Sequence, residues 1–522
     1  MADMDDSWYF FKEFKLLLYG EDFRKDMLID DVYGRHLPLF EVMSKFIEGL
    51  KNHFIERKAK KGLDIKDVIW MLTVPAIWSL EGRDFMRKAA EHCGIDGKLL
   101  KIALEPEVAA VYCFTLPLEE RKTMWDLGHI GQSFLVADLG GGTADLAAIK
   151  VNAEGTLDII INAQGALIGG QNINTAFFQA IHDSFEGDQF KNVFRDPIEL
   201  LEMEDDFEHK KVNIVSTKEL KCSINLKIPS LFRDGLLKND IRMTEEAKKK
   251  GGLKIHKDKL LFDPSYITEH FFKETCTRIS HEIENMLKTP NVGNISIIVL
   301  VGGLSGSSVV VSQIQELLKK SFPEVKVVSP TSPFRAILTG AVLYGHNPKL
   351  IKSRRSPATF GVQTNSPFDA VVHKSDKKWI HSGSGKAYCK DIFSVHVREG
   401  ELIVLNEKQP VKKYFPIDAN QTEVNLKVFM HSARDISLDE SKVLYTTDDG
   451  CTELGEMLVK MPDTSKGTNR EVSVSFVIGA EIEVNAVDET SKEKLEVKFE
   501  FLKTLKLCKQ KEENEFGTQN II

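Results

Sequence analysis

The sequence predicts an α/β domain followed by a β-rich domain, and three observations carry that prediction. Short apolar runs that read as buried strands alternate with segments at helical spacing from about residue 40 to residue 344. Between two of those strands lies a glycine cluster, Asp138-Leu139-Gly140-Gly141-Gly142-Thr143. Beyond about residue 357 the apolar period changes to two.

In chain order, Phe40, Met43, Ile47, Leu50 and Phe54 form one stripe at helical spacing, read as core packing. Asp67 to Val74 (DVIWMLTV) is a strand stopped by Pro75. Ser79 is placed to cap the next helix at its start and Gly94 at its end. Leu99 to Leu104 is a short strand running into Glu105-Pro106 and a helix with Ala109, Ala110 and Tyr112. Ser133 to Ala137 leads into the glycine cluster, Asp145 to Val151 reads as strand again, and Leu157 to Ile161 as a third strand after a turn at Asn152 to Gly155. Residues 175–290 read as mainly helical with a lysine-rich middle, where Lys248-Lys249-Lys250 is taken as a solvated loop end. Ile295 to Val301 (ISIIVLV) is a buried strand ending at Gly302-Gly303, with a helix from about Ser308 and another through Tyr344. Further on, Glu423 to Phe429, Glu471 to Phe476, Glu481 to Val487 and Leu495 to Phe501 alternate apolar and polar residues, as half-buried antiparallel strands do. The closing KQKEENEFGTQNII has no periodicity and is expected to be disordered.

Composition sets the limits. A chain of 522 residues needs more than one core, and 42% hydrophobic with 28% charged residues is ordinary for globular proteins. No stretch approaches the roughly 20 apolar residues of a membrane span. A net charge of -8 gives no electrostatic footprint for nucleic acid. The start, MADMDDSWYFF, is acidic and then aromatic, unlike a signal peptide, so a cytoplasmic location is expected. The seven cysteines (Cys93, Cys113, Cys222, Cys276, Cys389, Cys451 and Cys508) form no CxxC pair and fit reduced thiols.

Asp138 with Gly140, Gly141, Gly142 and Thr143 is the strongest local signal. Backbone N–H groups without a neighbouring Cβ approach phosphate oxygens closely and form anion nests. An Asp at a strand end can hold hydrated Mg²⁺, and the Thr143 hydroxyl can donate to a terminal phosphate. A Walker-type loop would need a following helix and a Gly-Lys-Ser/Thr ending, and neither is present. An ordinary hairpin would account for three glycines alone; the string Asp-x-Gly-Gly-Gly-Thr-x-Asp between two strands is more specific. Gly302-Gly303 opens a helix after a buried strand, a common resting place for a nucleotide, although close packing explains it equally well. Glu105 could orient an attacking water, or could simply be a carboxylate favoured by the helix dipole.

Together these pieces resemble the 70-kDa heat-shock protein superfamily, whose ATPase region has the two-lobed actin-like (ribonuclease-H-like) fold. The matching segments are TVPAIWSLEGRDFMRKAAEHCGI, IALEPEVAAVYC, VADLGGGTADL, IVLVGGLSGSS and LTGAVLYGHNP, in the family's order. FFKEFKLLLYG and NPKLIKSRRSPATFGV point to its divergent subfamily 12. The resemblance implies an actin-like nucleotide-binding domain over residues 1–356, a β-rich substrate-domain-like region over 357–503 and a tail over 504–522. It implies ATP or ADP with Mg²⁺ as cofactor, and client or regulatory proteins as partners of the β-rich region. Carried over, Asp138 sits by the hydrated metal, and Gly140, Gly141, Gly142 and Thr143 wrap the β- and γ-phosphates. Glu105 orients the water, and Lys15, or else Lys12, reaches the γ-phosphate. Gly169, Gly170, Glu208 and Lys211 line the ribose and adenine side, and Gly302 and Gly303 cover the α-phosphate and sugar.

Four departures qualify the resemblance. The family begins with a strand carrying Asp-x-Gly-Thr-Thr, the first phosphate loop, and the sequence as given has no such motif near Met1. The expectation is a first lobe short of its early strands, with Asp67 to Val74 at an exposed edge. Val212 and Gly306 stand where the family has adenine-side arginines. Lys349 to Arg355 (KLIKSRR) replaces an apolar acidic linker, and no helical lid of the usual size follows the β-rich region. The implied function is an ATP-binding, chaperone-like or regulatory protein with impaired hydrolysis. The alternative is a catalytically inactive nucleotide sensor or scaffold. A small-molecule kinase of the same superfold is disfavoured by Glu105-Pro106-Glu107-Val108-Ala109-Ala110 and by the β-rich region.

Overall fold

The computed structural model describes residues 8–19, 26–59, 64–123, 127–212, 214, 224–290, 292–432 and 444–498. The tail expected over 504–522, the end of the last alternating segment at Phe501, and Cys222 and Cys508 lie outside them. The chain's described residues divide into two compact units, one made of those up to Leu157 and of Ala163–Leu350, the other of Asp158–Asn162 and those from Ile351 onward.

In the first unit, the strands Trp70–Val74 and Leu100–Leu104 pair in parallel and, among the described residues, form a sheet of two. The helix between them, Leu80–His92, starts where Ser79 Oγ accepts the Gly82 N–H at 3.2 Å, and the chain leaves it through Gly94 at φ 81°. The helices Glu105–Thr115 and Ala336–His346 pack closely, with Ala103, Val108 and Ala341 in their shared core. The stripe on the helix Leu39–Ala59 buries Phe40, Met43 and Ile47, while Phe54 stands edge-on to Trp70. Leu50, expected in that core, is 58% exposed.

A second sheet carries the glycine cluster. Ser133–Leu139 lies between Ile295–Val301, to which it is parallel, and Ala144–Val151, to which it is antiparallel. Lys326–Val328 extends the sheet in parallel beyond Ile295–Val301. Nearly every residue of the two inner strands is buried, which matches their continuous apolar runs. Between residues 175 and 290, helices such as Gly170–Ser184, Pro197–Lys211 and Lys273–Leu287 predominate around a phenylalanine cluster in which Phe177 stacks on Phe207 at 4.3 Å. That region also holds a three-stranded antiparallel sheet, Leu253–His256, Lys259–Phe262 and Ile224–Lys227, which the helical reading missed. Each strand is only four residues long, too short for period two to stand out. Lys248-Lys249-Lys250 is likewise the last turn of the helix Glu245–Lys250, where cations face the carbonyl end, not a loop.

The second unit is β-rich. One antiparallel sheet runs in the order Lys378–Ile380, Ala387–Val397, Thr359–Pro367, Glu423–His431, Cys451–Lys460. Another joins Lys412–Tyr414, Val472–Ile478, Ile482–Asp488 and Lys494–Lys498. The alternation read from the sequence corresponds to strands in both. Ile351–Arg355 pairs antiparallel with Leu402–Val404, so the unit opens before the boundary expected at 357. Arg355 donates to the Ile160 carbonyl at 2.9 Å and the Gly400 carbonyl at 2.7 Å, and Ser353 Oγ donates to Asp158 at 2.6 Å.

Arg470 ties this unit's loops together. Fully buried, it donates to the carbonyls of Gly467 (2.6 Å), Met461 (3.2 Å), Asp463 (3.4 Å), Ala419 (3.1 Å) and Asp418 (3.5 Å). Arg470→Met leaves those buried acceptors without a donor and is expected to cost about 3–5 kcal/mol in urea unfolding. Arg470→Lys, which lacks the planar fork, should recover only part. A loss below about 1 kcal/mol for the Met variant would mean that water satisfies the carbonyls instead.

Candidate nucleotide site

The strand Ser133–Leu139 ends at the glycine cluster because the chain must turn back at once into Ala144–Val151. Gly140 N–H closes that hairpin on the Thr143 carbonyl at 2.9 Å. Two more glycine turns converge on it. Val301 pairs with Asp138, so Gly302 follows directly alongside Leu139. Gly302 has φ 87°, and a Cβ there would lie 2.4 Å from Asp138 Oδ1 and 2.5 Å from the Leu139 carbonyl oxygen. From the other side, Gly170 N–H donates to the Gly140 carbonyl at 3.1 Å and Gln171 N–H to the Gly141 carbonyl at 2.7 Å. A Cβ at Gly169 would sit 2.5 Å from the Gly141 carbonyl oxygen, so only glycine allows this approach. Positions beside Gly141 and Gly303 are open: a Cβ at either would meet nothing within 4 Å.

Acids and one lysine gather behind the hairpin. Glu105, first residue of its helix and buried, accepts from Lys15 Nζ at 2.7 Å. Lys15 Nζ also lies 5.6 Å from the Trp78 ring centroid. Burial pushes the Asp138 carboxyl well above its ordinary range, and the Glu105 and Asp145 charges push it further, against the pull of Lys15. Asp145 is fully buried and accepts from the Ala76 N–H at 3.0 Å and, at 3.4 Å, the Ile77 N–H. Burial, then the Glu105 charge, raises it to about 6, although the Ala76 and Ile77 N–H groups hydrogen-bond its charged form. Its second oxygen, Oδ2, is buried with no partner among the described residues.

The sequence-selected residues fall into two groups. Glu105, Lys15, Asp138, Gly140, Gly141, Gly142, Thr143, Gly302 and Gly303 meet around the hairpin, with Gly169 and Gly170 against its back. Lys12, the alternative lysine, is ion-paired to Glu204 instead. Lys211, buried, spends its three N–H donors on Glu208 (2.6 Å), Asn174 (2.8 Å) and the Gly170 carbonyl (3.1 Å). It thereby fixes the Gly169-Gly170 turn, and burial pulls its pKa down. The Glu208 side chain stays 43% exposed. Val212 and Gly306 are neighbours, since a Cβ at Gly306 would come 3.2 Å from Val212 Cγ1. Two features were missed. Asp145 closes the Asp-x-Gly-Gly-Gly-Thr-x-Asp string, and that position was the available signal. Leu16 packs against Gly142, where a Cβ would lie 2.2 Å from Leu16 Cδ2; nothing in the local sequence marks that contact.

Residues 22–347 match the family model described as Hsp70 protein. The chain belongs to the Hsp70 family. Its fold is the family's two-lobed actin-like ATPase fold, and it is an Hsp70-like nucleotide-binding protein. It is 26% identical to heat shock 70 kDa protein 12B of Homo sapiens, over 95% of this chain and 80% of that protein. It is 24% identical to heat shock 70 kDa protein 12A of Homo sapiens over the same shares. A chaperone protein dnaK of Cyanidium caldarium is 24% identical over 62% of this chain and 46% of its own length. Among the described residues no helix is long and apolar enough to cross a membrane.

For this Hsp70 chain, the acids test whether Mg²⁺ fits. Glu105, Asp138 and Asp145 are buried together, with the half-exposed Lys15 on Glu105, and an unpartnered carboxylate oxygen remains. A divalent cation held there would relieve the repulsion among these carboxylates. No group of three or more His, Cys, Asp or Glu among the described residues forms a metal cage. Mg²⁺ keeps several waters and takes one or two carboxylates together with substrate phosphates, and the Asp138 carboxylate with the unpartnered Asp145 oxygen would meet that demand.

Proposed function

We propose that this chain binds ATP or ADP with Mg²⁺ at the Asp138–Thr143 hairpin, and acts in the cytoplasm as a chaperone-like or regulatory protein that hydrolyses ATP slowly. The observation that carries the reading is the convergence of the Asp138–Thr143, Gly169-Gly170 and Gly302-Gly303 turns beside Glu105, Lys15 and Asp145. Asp138, with Asp145 beside it, would hold Mg²⁺ together with the nucleotide, and the ion would supply neutralisation of phosphate charge. Backbone N–H groups of Gly140 to Gly142 and the Thr143 hydroxyl orient the β- and γ-phosphates. Gly303 borders the open side where the sugar and α-phosphate rest. Glu105, with Lys15 on it, positions a water.

Slow hydrolysis follows from what faces the terminal phosphate. Leu16 offers methyl groups beside Gly142, where a preorganised donor would stabilise developing charge, and one such donor is typically worth about 10²–10³ in rate. Val212 and Gly306 offer the base no cation to stack on it. The same observations favour a second reading, a nucleotide-sensing or scaffolding protein without catalysis. Client or regulatory proteins are assigned to the β-rich unit.

The test is thermal unfolding with and without MgATP, followed by single-turnover hydrolysis. Nucleotide at 100 times its Kd should stabilise the protein by about 2.7 kcal/mol, and EDTA should remove most of that. No shift at millimolar MgATP or MgADP overturns the binding site. Detectable phosphate release over hours supports the slow ATPase, and its absence with binding intact supports the sensor.

A further inference from the structure

The three-stranded sheet in the first unit has one buried face and one charged face. Its register places Ile255, Leu260 and Leu226 in one row and Leu253, Phe262 and Ile224 in the next, and most of these pack inward. The opposite face is built from the alternate residues. His256 lies directly opposite Lys259, and Lys259 directly opposite Lys227. The adjoining row is Lys254, Leu261 and Asn225. Three lysines and a histidine therefore share this face, all exposed, with no carboxylate in either row. Among the described residues, none of the four side chains has a hydrogen bond or ion pair; Lys227 is engaged only through its backbone N–H, which donates to Asp206. Lys257 adds a further cation at the hairpin tip, beside Asp258.

Like charges set directly opposite in a sheet are destabilising, so this row works against the fold unless something else satisfies it. In a chain of net charge -8 it is a local inversion of sign. We propose that this face is a docking surface for an acidic, extended segment of a partner protein. Charge complementarity names the partner's sign, and spacing names its shape. Alternate residues of a strand are about 6.8 Å apart. Carboxylates on every second residue of an extended chain thus match the step from Lys254 to His256. The row of Lys254, Leu261 and Asn225 has no aromatic ring and the other has only the His256 imidazole, so the face lacks the run of aromatic side chains on which successive bases stack. The surface is separate from the nucleotide hairpin and does not depend on its assignment.

The experiment is fluorescence anisotropy on the full chain with a labelled peptide of alternating Glu and Thr. A peptide of alternating Gln and Thr, a double-stranded oligonucleotide and phosphatidylserine vesicles serve as comparisons. The acidic peptide should bind, and Lys227→Gln, Lys254→Gln and Lys259→Gln combined should weaken it at least tenfold. Affinity should fall steeply with salt, as exposed ion pairs require. A second variant keeps folding under control: Lys259→Glu should bind the peptide poorly while melting no lower than the parent, because it exchanges a repulsive row for an attractive one. Binding of the acidic peptide that is unchanged in the triple variant overturns the proposal. So does tighter binding of the oligonucleotide or the vesicles than of the peptide.

Discussion

Gly302→Val is expected to abolish MgATP binding and to lower the stability of the first unit by about 3–5 kcal/mol. The residue sits at φ 87°, a conformation that β-branched side chains avoid. Its Cβ would meet Asp138 Oδ1 at 2.4 Å, the Leu139 carbonyl oxygen at 2.5 Å and the Leu139 carbonyl carbon at 2.8 Å. Two of those atoms are backbone at the end of a buried strand and cannot swing aside. The strand end and the Asp138 carboxylate must both shift, so stability and binding fail together. Gly303→Ala is the control: Gly303 has φ -62°, and its Cβ would meet nothing within 4 Å. It should unfold at the parent's urea midpoint. Should Gly302→Val keep the parent's midpoint, the contact between the two strand ends is not the one described.

How much of this was legible in the sequence depended on whether local chemistry decides the outcome. Ser79 and Gly94 were readable as helix ends because capping is set by the residue's own side chain and φ. Ile295 to Val301 was readable because a fully buried strand leaves a continuous apolar run. The hairpin at Gly140 to Thr143 was readable because the strands on both sides left no room for a helix. Tertiary contacts left no such mark. Leu16 looks like any leucine until the fold lays it on Gly142. Lys211 looked like a ligand-facing cation, yet three internal acceptors take its donors. The sheet that holds Lys227 and Lys259 was hidden because its four-residue strands are too short for an alternating pattern to stand out. Asp145 lies between these cases: the motif marked the position, but only the fold shows that Ala76 and Ile77 hold one oxygen and leave the other unpartnered.

Asp145→Asn is expected to make the ligand-free protein more stable at pH 7.5 and to remove its Mg²⁺-dependent nucleotide binding. The folded protein holds the Asp145 proton up to about pH 6, against an ordinary value of 3.8. Between those values the native state binds more protons than the unfolded state, so stability falls as pH rises through the window and stays low above it. A shift of that size corresponds to about 3 kcal/mol, an upper figure because the carboxylates around it titrate together. Asp138 is raised by the same burial and repulsion, so it works in the same direction. Asparagine keeps an oxygen for the Ala76 and Ile77 N–H groups and carries no charge. The urea midpoint of the variant should therefore exceed the parent's at pH 7.5, and the two should converge near pH 4. Calorimetry with MgATP should show the opposite order, with the parent binding and the variant not, because the charge that opposes folding is the one that attracts the metal. Two outcomes would sink the argument: a variant less stable than the parent at pH 7.5, or a stability difference that does not change with pH. Either would mean that the Asp145 carboxylate is already neutralised in the folded chain by its N–H donors, and that the cation has nothing left there to relieve.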